Sequence, residues 1–165
     1  ADLHELAQTP VTVVAAGAKA ILDVPKTLEV LETLGVPVIA YGQDSFPAFW
    51  STQSPYAAPL RMDDPADIAG AHRMRQALRL PGGQLIANPV PQEDEIPAAD
   101  LAPIIAKAQS EADRDGIAGK SVTPFLLQRI FELTKGRSLQ ANIALVRNNA
   151  RLAARIARAL GETAL

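Results

Sequence analysis

No cysteine occurs among the 165 residues, so no disulfide framework holds this chain together. Aromatic side chains are nearly as scarce, at 4% with a single Trp, which argues against an all-β sandwich. No apolar run approaches the roughly 20 residues that a membrane span needs, and no charged-then-apolar leader is present. A charge excess is lacking too: 16 Lys and Arg stand against 18 Asp and Glu, a formal net charge of −2. Without a basic field, a nucleic-acid polymer is excluded as the expected partner. These absences together lead to the expectation of a soluble cytoplasmic protein. Internal repeats and low-complexity linkers are also missing, and a chain of about 150 residues buries roughly 68–70% of its unfolded surface. At 165 residues the chain is therefore long enough to form one ordinary domain with a real core.

What is present is alanine and a strand-and-helix rhythm. Asp2 to Gln8 places Leu3, Leu6 and Ala7 at helical spacing before Pro10. Val11-Thr12-Val13-Val14 reads as a buried parallel strand that runs into a loop of small residues, Ala15-Ala16-Gly17-Ala18-Lys19. An amphipathic helix follows from Pro25 to Leu34, closed by Gly35, and Val36 to Ala40 forms a second strand. Two strands joined by such a helix make a βαβ unit. Tyr41 to Arg61, with both tyrosines, the Trp and three prolines, lacks periodicity and reads as a long loop packed over a surface, the kind that lines sites. A helix opens at Asp63 or Asp64 before Pro65, with Ile68, Ala71, Met74 and Leu78 as its seam, and ends at a Gly82-Gly83 turn. Gln84 to Asn88 is a third strand. Three helices complete the chain: Pro97 to Asp115, one capped by Thr123 and ending near Gly136, and one capped by Ser138 and reaching Leu160. The expected fold class is α/β, a layered α/β/α arrangement with a largely parallel or mixed central sheet and a helix-rich C-terminal part.

Lys19 is the first chemical candidate. In open α/β sheets ligands bind beyond the carboxyl ends of the strands, and small neighbours leave its amine unshielded. An amine that attacks a carbonyl must first be neutral, which an apolar pocket or a neighbouring cation promotes. The competing reading is a solvated surface lysine. Asp2 is either a substrate or lysine partner or the cap of the helix behind it. Asn142 and Asn149, seven apart, share a face of the last helix near a seam of Leu139, Ile143, Val146, Ala150 and Ala153. One of them reads a ligand, or both tie the helix to a neighbouring loop. Arg147, Arg151, Arg155 and Arg158 form a solvated or subunit-facing stripe rather than a phosphate site. His4 and His72 have no partners at metal-ligand spacing, and Gly82-Gly83 lacks the Gly-Lys-Ser/Thr of a phosphate loop.

The run Val11 to Asp23, with Asp2-Leu3 ahead of it, resembles the pseudouridine-5'-phosphate glycosidases, a family also labelled indigoidine synthase A-like. The resemblance continues in order through Leu31 to Ile39, Phe46-Pro47-Ala48-Phe49, Ile86 to Pro91, Gly119-Lys120 with Thr123 to Leu127, and Ala141 to Ala150. It implies exchange of pseudouridine 5'-phosphate and water for uracil and ribose 5-phosphate, an α/β/α fold, a divalent metal, usually manganese, and a homotrimer. It also implies that Lys19 is the nucleophile forming an imine with ring-opened ribose. Ala1 and Asp2 match the end of a substrate-binding Asp-x-Ser-Ala-Asp segment, and Asn142 matches a base-contacting position. The chemistry suits the residues: a carbon–carbon bond to C1' has no good leaving heteroatom, and a protonated imine supplies the electron sink.

The resemblance further implies that the metal-ligand aspartate, the proton-donating glutamate and a substrate-contacting lysine lie upstream of Ala1, so that no metal ligand is expected in these residues. These residues alone are expected to be inactive, with the remaining half completing the enzyme. Two other classes stay open: a non-catalytic sugar-phosphate or nucleotide-binding module, and a structural subunit whose long last helix holds an oligomer together.

Overall fold

A computed structural model describes residues 2–19 and 22–162. In chain order its elements are α1 (Asp2–Gln8), β1 (Thr12–Ala15), α2 (Val24–Thr33), β2 (Val38–Tyr41), β3 (Leu60–Met62), α3 (Pro65–Ala77), β4 (Gln84–Ala87), α4 (Ala98–Arg114), α5 (Val122–Leu133) and α6 (Arg137–Glu162). The four strands form one parallel sheet in the order β1-β4-β2-β3. The β1-α2-β2 unit is present, with β4 inserted between its two strands.

Strand alternation decides the layers, because successive side chains point to opposite faces. Val13, Leu85, Ala87 and Val38 face α1 and α2, where Val24 and Leu31 are buried. Val14, Ile86 and Ile39 face the other way, onto Ile68 and Ala69 of α3 and Leu152 and Ile156 of α6. The α/β/α layering is thus as expected. A separate apolar cluster joins α4, α5 and the start of α6 around Trp50, with Leu101, Ala108, Leu126 and Ile130 buried.

Local chemistry sets the boundaries. Asp23 caps α2 by accepting the Lys26 N–H, and Asp64 caps α3 by accepting that of Ala66, each just ahead of a helix-opening proline. Gly82-Gly83 is the expected turn, and Gly83 cannot carry a side chain: a Cβ there would stand 1.9 Å from the Val11 carbonyl oxygen.

Several expectations need correction. β1 is half-buried throughout and starts at Thr12, with Val11 exposed, because it is an edge of this sheet. β3 lies at the end of the stretch read as loop. The α3 seam does not hold: Met74 and Leu78 are exposed, and Pro65, Ile68 and Ala69 make the contact. Neither Thr123 nor Ser138 is a cap. Thr123 lies inside the first turn of α5, and Ser138 lies inside α6. The cap function falls to Thr134, whose hydroxyl donates to the Ile130 carbonyl and accepts the Ser138 N–H, closing α5 and opening α6. The α6 seam is also displaced. Ser138, Ala141, Leu145, Leu152 and Ile156 are buried, whereas Leu139, Ile143 and Val146 are about half exposed.

Candidate active site

Lys19 stands four residues beyond the carboxyl end of β1. The backbone of its loop is shaped by close contact. Gly17 has φ +85°, and a Cβ on it would sit 2.1 Å from the Pro47 carbonyl oxygen. Only glycine satisfies both conditions. The Phe46 to Ser51 turn is fastened to this loop by a hydrogen bond from the Phe49 N–H to the Ala16 carbonyl (3.0 Å). Phe49 itself holds φ 63°, an uncommon conformation for a non-glycine residue, and its ring meets that of Trp50 edge to face at 5.0 Å.

From this turn the buried Trp50 reaches across to α6, its indole Nε1–H donating to the Ser138 carbonyl at 3.1 Å. The loop, the turn and the first turns of α6 thus form one continuous wall. Between that wall and α5 lies a cavity of about 540 Å³ lined by Lys19, Phe49, Trp50, Gln128, Phe131 and Asn142 among others. A volume of this order suits a nucleotide-sized ligand. Its lining is apolar apart from Lys19, Ser138 and the two amides. Among the described residues neither the Lys19 amine nor the Asn142 amide has a hydrogen-bond or ionic partner. Gln128 donates its amide to Glu132, which leaves its carbonyl oxygen without a partner.

Lys19 and Asn142, far apart in sequence, therefore meet at one cavity. Asp2 does not join them: it is exposed in the first turn of α1 and does not line the cavity. Ala1 lies outside the described residues. Asn149 takes the tethering role, accepting from the Nδ2 of the buried Asn88 at 3.0 Å, and Asn148 donates to the Pro89 carbonyl. Both bonds fasten the middle of α6 to the exit of β4. Phe49, Trp50, Gln128 and Phe131 were not singled out from the sequence. The only sequence signal for Phe49 and Trp50 was the aromatic, aperiodic 41–61 stretch and, for Phe49, the matched Phe46 to Phe49 block, while Gln128 and Phe131 carried none.

Three or more His, Asp or Glu side chains do not gather anywhere among the described residues as a metal centre would require, so these residues do not fit a divalent ion by themselves. No described helix is long and apolar enough to cross a membrane.

The family profile of indigoidine synthase A like proteins matches residues 1–159. A pseudouridine-5'-phosphate glycosidase of Roseobacter denitrificans is 76% identical over 160 residues, covering 97% of this chain and 52% of the relative. That of Paracoccus denitrificans is 73% identical, with 97% and 53% covered. Among solved structures, the prealnumycin C-glycosynthase in complex with ribulose 5-phosphate superposes with a TM-score of 0.90 at 34% identity, over 98% of this chain and 53% of the other. An indigoidine synthase A-like protein from Thermotoga maritima gives 0.85 at 35%, over 98% and 52%. The chain spans about half the length of the curated relatives it matches.

Proposed function

The chain belongs to the indigoidine synthase A like family, and from that premise we propose that it forms the lysine-bearing half of a pseudouridine-5'-phosphate glycosidase. The observation that carries this reading is the shared cavity of Lys19 and Asn142 at the carboxyl end of the sheet. A relative of the same fold bound to a ketose phosphate supports a sugar phosphate as the ligand class.

In the synthetic direction, the Lys19 amine condenses with the C1 aldehyde of open-chain ribose 5-phosphate and releases one water. The resulting iminium carbon accepts the electron pair of uracil C5, which then loses its proton. The sugar's O4 hydroxyl displaces the amine at C1, closing the ring and freeing the lysine. Cleavage is the reverse and consumes one water when the imine is hydrolysed. Asn142 and the Gln128 carbonyl offer amide groups complementary to the edge of a pyrimidine, while Asp2 contacts substrate from a position the remaining half completes.

The same proposal includes a cytoplasmic homotrimer. The half-exposed Leu139, Ile143 and Val146 stripe, continuous with the cavity through Leu139, supports burial of this face in the whole assembly. Manganese belongs to the proposed whole enzyme, with its ligands outside these residues, and no step above passes through it.

Borohydride reduction of the full-length protein with ribose 5-phosphate, followed by peptide mass spectrometry, tests the reading. A reduced sugar-phosphate adduct on the Lys19 peptide is expected. An unmodified Lys19 under conditions of full turnover refutes it.

A further inference from the structure

At the amino end of β1, remote from Lys19, a second cavity of about 340 Å³ opens between α3 and the chain before β1. His72, Arg75, Gln76 and Arg79 line it with Pro10 and Leu80, and among the described residues no carboxylate does. In a chain of net charge −2, a cavity with two guanidinium groups and no acidic wall is an unbalanced arrangement.

Helix geometry puts His72 and Arg75 on one face, three residues apart. Arg79 follows just past the end of α3 with φ 53°, at the position where helices commonly place glycine. Its place there is secured by two closing bonds, Arg79 N–H to the Gln76 carbonyl and Leu80 N–H to the Arg75 carbonyl, both 3.0 Å. Arg75 is held by donating Nη2 to the Pro81 carbonyl at 2.7 Å, while its Nε is buried and has no partner. Neither arginine forms an ion pair among the described residues. His72 is oriented by its Nδ1, 3.0 Å from the Thr12 hydroxyl, which in turn accepts from the buried Gln84. That leaves the His72 Nε2 for a ligand. The negative end of the α3 dipole, about half an elementary charge, opposes an anion here, but two full guanidinium charges outweigh it.

We propose that this cavity binds inorganic phosphate or a phosphate monoester, with Arg75 and Arg79 clamping the oxygens and His72 as a third donor. The site is independent of the role of Lys19.

Isothermal titration of the full-length protein with inorganic phosphate and, separately, with methyl phosphate tests it, against potassium chloride at matched ionic strength. Arg79 is exposed, so Arg79→Met leaves the fold intact. It is expected to weaken phosphate binding about tenfold, the loss of one charge-assisted contact, and Arg75→Met with Arg79→Met to remove the binding event. Adduct formation at Lys19 with ribose 5-phosphate should persist in both variants, so failure here is distinguishable from failure of the enzymatic reading. Tighter binding of methyl phosphate than of inorganic phosphate would identify an organic phosphate as the occupant, and the reverse order the free ion. Saturable binding that is absent in the unsubstituted protein, or unchanged in Arg79→Met and in the double variant, overturns the proposal.

Discussion

The two halves of α6 are built from similar residues and do opposite work. Beyond Asn148 the helix lies on the sheet, with Leu152 and Ile156 buried and Asn149 tied to Asn88. Before Asn148 it holds Leu139, Ile143 and Val146 half exposed and turns Asn142 toward the cavity with no partner. Asn142 and Asn149 sit two helical turns apart on the same face, so position along the helix, rather than residue type, separates a group available to a ligand from a structural tie. The second half packs on the sheet, whereas the first buries Ala141 and Leu145 on one face and leaves Asn142 and the apolar stripe uncovered on others.

The strongest way to break this contrast is at the lysine facing the first half. Lys19→Ala should lower kcat of the full-length enzyme by at least about 10³-fold, since no other lysine among the described residues lines the cavity. Circular dichroism should be unchanged, and a variant retaining more than a few per cent of the parent's rate would break the comparison. Next in size is core loss in the second half. Leu152→Ala should cost about 2–5 kcal/mol in urea unfolding. By contrast, Val146→Asp should leave helix content intact yet dissociate the assembly in sedimentation, and an unaltered oligomer would show that this stripe faces water.

The asparagines sharpen the contrast further. Asn149→Ala strands the buried Asn88 amide and should cost about 1–3 kcal/mol of stability. Asn142→Ala should leave the melting temperature in place and reduce kcat/KM. Equal melting temperatures for the two variants would erase the distinction. The smallest effect is expected well away from both halves, where Arg129 of α5 joins Glu111 and Glu132. The Arg129 hydrogen bond holds the Glu111 carboxyl below its ordinary range, and Gln128 followed by Arg129 does the same for Glu132. A carboxylate depressed in the folded state adds stability above its unfolded value, near pH 4.3. That contribution fades as pH falls through the folded value. Glu111→Gln should therefore lower the urea midpoint slightly at pH 7, with the difference from the parent vanishing as pH falls below about 4.5.

The order of strands and helices was legible because each apolar run has its own period and because proline, aspartate and glycine punctuate them. Asp64-Pro65 and Gly82-Gly83 marked boundaries where the structure has them. Three residues of β3 could not be read, since Leu60-Arg61-Met62 is too short to show alternation and takes its strand form from pairing with β2. The α6 seam was misread because apolar residues occupy two faces of that helix, and only the packing of the sheet selects one. Lys19 was a candidate from its small neighbours and its place after β1, with a solvated surface lysine left open and the resemblance favouring the site, whereas Phe49, Trp50, Gln128 and Phe131 were not singled out. The cavity they line exists only after the turn at Phe46 to Ser51 closes on Gly17 and α5 packs on α4.

The contact between Gly17 and the Pro47 carbonyl oxygen also bears on engineering. The lysine loop and the Phe46 to Ser51 turn interlock like a tenon in its mortise, so transplanting Lys19 chemistry into another parallel sheet means moving both segments as a pair. A graft carrying the first without the second would reproduce the amine and lose its aim.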